Sequence, residues 1–183
     1  MAEGGRVILG ISGSLRGLAA LHRAVDEARR RDAELTAVLA WTPVGGEVAY
    51  RRYPCPPLLR ECESAAAARL QQAFLDAFGG CPEGVRVQLA TARGEPGAAL
   101  TVLADRPDDL LVVGTGRQGA FRRLLHGGVS RYCLAHARCP VLAVPPSELM
   151  RDLDRTTRIL GERPLKRPAR HVADLASRRR AVG

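Results

Sequence analysis

Lysine is nearly missing from this chain, because Lys166 is the one residue among its 28 basic side chains that is not arginine. A P-loop NTPase places a lysine inside G-x4-G-K-[ST], so that class is excluded. Long apolar runs are missing too, since no stretch nears the ~20 residues that span a bilayer. Residues 1–6 carry no charged-then-apolar secretion signal. The expectation is a cytoplasmic protein with no membrane contact. Cys-x-x-Cys pairs are also lacking. Cys55, Cys62, Cys81, Cys133 and Cys139 are odd in number and scattered, which argues against a disulfide framework or structural zinc and leaves buried or idle thiols. His22, His126, His136 and His171 form no pair at metal spacing. The G-x-S-x-G elbow of hydrolases fails by one residue, since the run from Gly10 through Ile11, Ser12 and Gly13 ends on Ser14.

What is present suffices for one core: 183 residues at 46% hydrophobic content, close to the size of a single domain. The charge is uneven. From Arg151 onward ten Lys or Arg face four Asp or Glu, a net of +6, which leaves +3 of the whole chain's +9 to residues 1–150. The body therefore has no footprint of its own for nucleic acid. Arg163, Lys166, Arg167, Arg170, Arg178, Arg179 and Arg180 form a basic tail, read as solvated, with an anionic partner as the alternative. The division expected is an α/β domain over residues 1–146, then a C-terminal helix and tail over 147–183.

Periodicity predicts strands alternating with helices, the pattern of βαβ units on a parallel sheet. Val7 to Ile11 is a strand, and Leu18, Leu21, Val25 and Ala28 fall on one helical face closed by Arg29, Arg30 and Arg31. Leu35 to Trp41 is the second strand. The next segment, with Pro43, Gly45, Gly46, Pro54, Pro56 and Pro57, reads as a surface loop too rich in breakers to be helical. A long helix from Leu58 to Phe78 stops at Gly79 and Gly80. Val85 to Ala90 alternates with Arg86 and Gln88, which marks a strand wet on one face at a sheet edge. Leu110 to Val113 and Val141 to Val144 are apolar throughout, which predicts cover on both faces. Helices are expected over residues 96–105 and 128–137. Ser147 caps a further one carrying Leu149, Met150, Leu153 and Ile159.

The chemistry concentrates between Asp109 and Pro145. There a strand empties into Gly114, Thr115, Gly116, Arg117, Gln118 and Gly119, and Gly127, Gly128, Val129 and Ser130 open a helix. Glycines let backbone amides crowd an anion, and the orphan N–H groups of a helix start point at it, so this layout makes a phosphate pocket. With the third strand at an edge, strand order reverses between strands one and four. Ligands bind at such a reversal, beyond the carboxyl ends of the strands. Ile11 to Ser14 then stands opposite Gly114 to Gly119.

Residues 112–145 resemble the C-terminal half of universal stress protein domains, residues 7–41 their N-terminal half, and Arg93, Gly94, Glu95 and Pro96 the link into their third helix. The resemblance covers about residues 5–146. It implies an open, doubly wound parallel sheet of five strands in the order 3-2-1-4-5 with helices on both faces, and no dedicated catalytic residue. It also implies a regulatory module that binds ATP with magnesium through G-x2-G-x9-G-[ST]. In this chain Gly114 and Gly127 match the first and third glycines, Arg117 stands in place of the second, and Gly128 in place of the Ser or Thr. Ser12 replaces the acid that reaches the nucleoside. The implied site is Ser12, Ala40, Gly114, Thr115, Gly116, Arg117, Gly119, Gly127, Gly128, Val129 and Ser130; His126 lies near the phosphate site, while Arg122 and Arg123 read as a solvated helical face, with a phosphate contact as the alternative.

Two other readings stand beside it. An interaction protein without ligand chemistry would dimerise through Val141 to Val144, an apolar strand at an edge that the helix from Ser147 to Leu160 would otherwise cover. The run ILGISGSLR also resembles the phosphate loop of flavodoxin-like NADPH-dependent FMN reductases. Their second, proline-rich flavin loop has no counterpart here.

Overall fold

The computed structural model describes residues 5–12, 17–115 and 128–148. The elements run β1 (Arg6–Gly10), α1 (Leu18–Arg31), β2 (Glu34–Trp41), α2 (Gly46–Arg52), α3 (Pro56–Phe78), β3 (Val87–Arg93), α4 (Pro96–Leu103), β4 (Leu110–Gly114), α5 (Val129–His136) and β5 (Val141–Val144). All five strands pair in parallel in the order β3-β2-β1-β4-β5. The edge position expected for the third strand is therefore the observed one. A flavodoxin-like sheet runs 2-1-3-4-5, so this topology overturns the FMN reductase reading.

Strand parity sorts the core into two layers. Val7 and Leu9 of β1, Leu35, Ala37 and Leu39 of β2, and Leu110 and Val112 of β4 face α1 and α3, where Leu21, Val25, Leu70 and Phe74 meet them. Ile8, Val38, Leu111 and Val113 face the other way, onto Leu100 and Ala104 near α4, and onto Cys133 and Cys139 around α5. Each Leu or Val so buried contributes about 1.5–3 kcal/mol relative to exposure. The apolar face expected for α1 is the buried one: Leu21, Val25 and Ala28 are joined by Ala20 and Ala24. Gly10 lies directly under Leu100 of α4. A Cβ there would run into Cδ1 of Leu100, so the carboxyl end of β1 is shaped by the absence of a side chain.

The segment expected to be an irregular loop holds a helix, α2. Its prolines flank the helix instead of interrupting it: Pro43 and Pro54 lie outside, and Pro56 and Pro57 open α3, where a missing N–H costs nothing. α3 therefore starts two residues before Leu58. Gly45 and Gly46 turn the chain into α2 with φ of 78° and 83°, values that L side chains rarely adopt. Glu47 in its first turn and Arg51 and Arg52 in its last complement the helix dipole. The third strand also moves, from Val85–Ala90 to Val87–Arg93, because pairing with β2 runs from Leu35 with Val87 to Trp41 with Arg93. β5 is half-buried at all four residues, not covered on both faces, and among the described residues it pairs with β4 alone. Other boundaries differ by a residue or two. Among the described residues no helix is long and apolar enough to cross a membrane. The helix expected after Ser147 and the basic tail lie outside the described residues.

Opposite the carboxyl ends of the strands, Arg6 begins β1 and Asp109 immediately precedes the neighbouring β4. Arg6 donates from Nε to Asp109 Oδ1 at 2.9 Å, and from Nη2 to Asp109 Oδ2 and Asp105 Oδ1, each at 2.7 Å. Asp109 is fully buried and also accepts the Arg106 backbone N–H at 3.0 Å. The Arg6 hydrogen bond holds the Asp105 carboxyl below the usual carboxylate range.

Candidate functional site

The strand order puts the carboxyl ends of β1 and β4 side by side, with Gly10 level with Val113. Beyond them the chain carries Ile11 and Ser12 on one side and Gly114 and Thr115 on the other. The Ile11 amide donates to the Val38 carbonyl at 2.9 Å. β2 therefore stays alongside, and Ala40, two residues past Val38, reaches the same edge as Ser12, two residues past Gly10.

Two helices begin at this edge. The α1 N-cap, Gly17, lies beside Ser12: a Cβ on it would sit 3.7 Å from Ser12 Oγ. Gly128 is the N-cap of α5, and Tyr132 N–H makes the first intrahelical bond, to the Gly128 carbonyl at 3.1 Å. Helix geometry leaves the amides of Val129, Ser130 and Arg131 without intrahelical acceptors. Neither helix has a side-chain cap or an acidic residue in its first turn, so no first-turn carboxylate offsets the positive dipole ends. A Cβ on Gly128 would meet nothing within 4 Å, so this position is open rather than packed.

Ser130 ties the parts together. Its hydroxyl donates to the Gly114 carbonyl at 2.9 Å, which fixes the start of α5 on the end of β4. Thr115 is tied the other way: its amide and its hydroxyl both donate to the Val144 carbonyl, at 2.7 and 3.2 Å. Thr115 therefore holds the turn to β5, and its donors are engaged within the fold rather than offered to a phosphate. Of the expected site, the structure brings Ser12, Ala40, Gly114, Thr115, Gly128, Val129 and Ser130 to one edge of the sheet. Gly116, Arg117, Gly119 and Gly127 lie outside the described residues, as do His126, Arg122 and Arg123. The two described histidines sit elsewhere: His22 stands edge-on to Phe78 at 4.7 Å, and His136 stacks on Tyr132 at 4.2 Å.

Sequence reasoning missed how this edge is braced on its β3 side. Arg93 grips Glu47 of α2 with two hydrogen bonds of 2.8 Å and lies 4.8 Å from the centre of the Tyr50 ring. The Gly94 amide donates to the Trp41 carbonyl at 2.8 Å. The Arg93 hydrogen bonds hold the Glu47 carboxyl below its ordinary value. The only available signal was an acid and a base 46 residues apart, and nothing linked them until α2 existed.

The model of the universal stress protein family matches residues 5–145. A curated universal stress protein of Mycolicibacterium smegmatis is 33% identical over 140 residues, covering 76% of this chain and 45% of that protein, so the chain spans about half the length of this relative. A crystal structure of a universal stress protein in complex with cAMP is similar at 29% identity and a TM-score of 0.51, covering 80% of this chain and all of the other. The UspA structure from Lactobacillus plantarum is 21% identical with a TM-score of 0.55, covering 79% and 99%. The latter likeness concerns the fold.

Proposed function

The chain belongs to the universal stress protein family, and from that premise we propose that it is a binding module, not a dedicated enzyme, whose crevice beyond β1 and β4 takes an adenine nucleotide by its phosphates. The observation that carries this reading is the Ser130 hydroxyl on the Gly114 carbonyl. It joins an uncapped helix start to the end of β4 beside Ser12, which sets orphan amides at the reversal of strand order where anions bind. The relative crystallised with cAMP supports the adenine nucleotide as ligand class. ATP with magnesium is the fuller form of that ligand. Among the described residues no group of three or more His, Cys, Asp or Glu is placed to hold a metal. The described residues of the crevice offer the orphan amides of the α5 start and no carboxylate. They fit a phosphate rather than a free cation, so magnesium would be carried by the triphosphate. Among the described residues at this edge no carboxylate or imidazole is placed to activate water.

Mass spectrometry of small molecules released from the denatured protein is expected to show an adenine nucleotide, and calorimetry with ATP and cAMP to show binding. An empty release together with no heat at about 1 mM ligand, equivalent to binding weaker than about 4 kcal/mol, would end this reading. The module is also read as a homodimer through β5. Its four apolar residues are half-buried on a strand that has one neighbour among the described residues, and an apolar edge favours pairing. Light scattering at micromolar concentration should give twice the chain mass, and a monomer would remove that part of the proposal.

A further inference from the structure

α2 is the least self-sufficient element of the fold. It has 7 residues, well short of the roughly 12–15 at which an isolated helix becomes even marginal in water, so tertiary contacts have to hold it. Yet α2 buries none of its residues, and Val48 is 70% exposed. Its N-cap Gly45 and first residue Gly46 both have positive φ, and on the other side residues 51–58 are exposed throughout. What ties it down is a clamp from β3. The Arg93 guanidinium meets both carboxylate oxygens of Glu47 at 2.8 Å and lies 4.8 Å from the centre of the Tyr50 ring, so one side chain grips two residues on the same face of the helix.

The clamp stands beside the crevice. Arg93 is the last residue of β3, and the register that sets Trp41 against Arg93 sets Ala40, the β2 residue at the crevice edge, against Ala92. Thr42 to Gly45 alone carry the chain from β2 into α2. We propose that α2 is a flap closing the β2 side of the nucleotide crevice, latched by Arg93 on Glu47 and opening by local unfolding without the core; this rests on the nucleotide reading of that crevice.

The latch suits a part that moves. Its arginine and glutamate are 36% and 33% exposed, so water and salt reach the pair, and pairs of that kind hold weakly and release readily. The fully buried Asp109 could not part from Arg6 in the same way, because an unpaired charge would be left inside the fold. Elements with few buried apolar contacts open at a fraction of the free energy of global unfolding, and α2 meets that description while β1 and β2 do not. With α2 lifted, the Ala40 end of β2 is uncovered. With α2 seated, a nucleoside lying along Ala40 is screened from water, so a bound nucleotide favours the seated form.

Hydrogen exchange of the full chain, followed by mass spectrometry, tests the flap, with ATP affinity measured by calorimetry on the same samples. Residues 44–53 are expected to exchange roughly a hundredfold or more faster than β1 and β2. Arg93→Gln, which keeps a donor but removes the charge, should speed exchange over residues 44–53 about fivefold and leave β1, β2 and the melting temperature unchanged. Salt at about 0.5 M should speed that segment in the parent and not in the variant. ATP at ten times its dissociation constant should slow it about tenfold in the parent. Exchange over residues 44–53 that matches β1 and β2, or that ignores Arg93→Gln, would mean that α2 opens only with the core and would overturn the proposal. Equal acceleration of every strand by Arg93→Gln would do the same, since the clamp would then support the whole fold. ATP that binds by calorimetry but leaves the segment's exchange unchanged would overturn the flap and leave the nucleotide reading standing, whereas absence of heat would end that reading and the flap with it.

Discussion

Arg6→Ala is expected to destabilise the fold by about 3–5 kcal/mol, the usual cost of removing one partner from a buried ion pair. Asp109 is fully buried, and without Arg6 it would keep only the Arg106 amide of its present donors. A carboxylate left that way pays its desolvation with little return. At about 2–4 °C per kcal/mol for a chain of this size, the melting temperature should fall by roughly 6–20 °C. The double variant Arg6→Met with Asp109→Leu should recover most of the loss, because replacing both partners by apolar groups of similar size is close to neutral. Chemical denaturation of the parent, both single variants and the double variant closes the cycle. If Arg6→Ala lies within about 1 kcal/mol of the parent, the pair is not the anchor described here. Nucleotide affinity should be unaffected in the folded variants, since this pair sits at the opposite ends of the strands from the crevice.

Ser12→Asp should tighten adenine nucleotide binding about ten- to a hundredfold, which is the affinity equivalent of one added hydrogen bond to a charged acceptor, roughly 1.5–3 kcal/mol. Ser12 follows β1 directly into the crevice and lies beside the α1 N-cap, so a carboxylate there also meets a favourable dipole end. The gain should come through the ribose hydroxyls, because a carboxylate next to phosphates would repel them. Calorimetry with ATP and with its deoxyribose analogues separates the two: the gain should shrink as ribose hydroxyls are removed. Weaker binding of both would mean that the nucleoside end does not reach Ser12, and the orientation of the ligand would have to be reversed.

Much of this architecture was legible before any coordinates. The apolar runs at Val7, Leu35, Leu110 and Val141 became strands because each is short, continuous and set off by glycine or proline. The face Leu21, Val25 and Ala28 became the buried side of α1 because it repeats at helical spacing. The alternation around Arg86 and Gln88 placed β3 at an edge, and that placement alone put β1 beside β4 and located the crevice. The errors came where two signals competed. Between Pro43 and Pro57 proline density outweighed the proline-free run from Gly46 to Arg52, although proline at a helix start is compatible with the helix that follows. In β5, apolar content was read as cover on both faces, although composition alone does not count neighbours.

Residue order and type determined the sequence of elements, the two-layered sheet and the region where an anion could be met, because those follow from periodicity and backbone freedom within short windows. Tertiary structure decided which groups are committed to each other: Arg6 to Asp109, Arg93 to Glu47, Thr115 to Val144 and Ser130 to Gly114. Such pairs join residues from 16 to 103 positions apart. A hydrogen bond acts over about 3 Å, so only the folded chain could bring their atoms within reach.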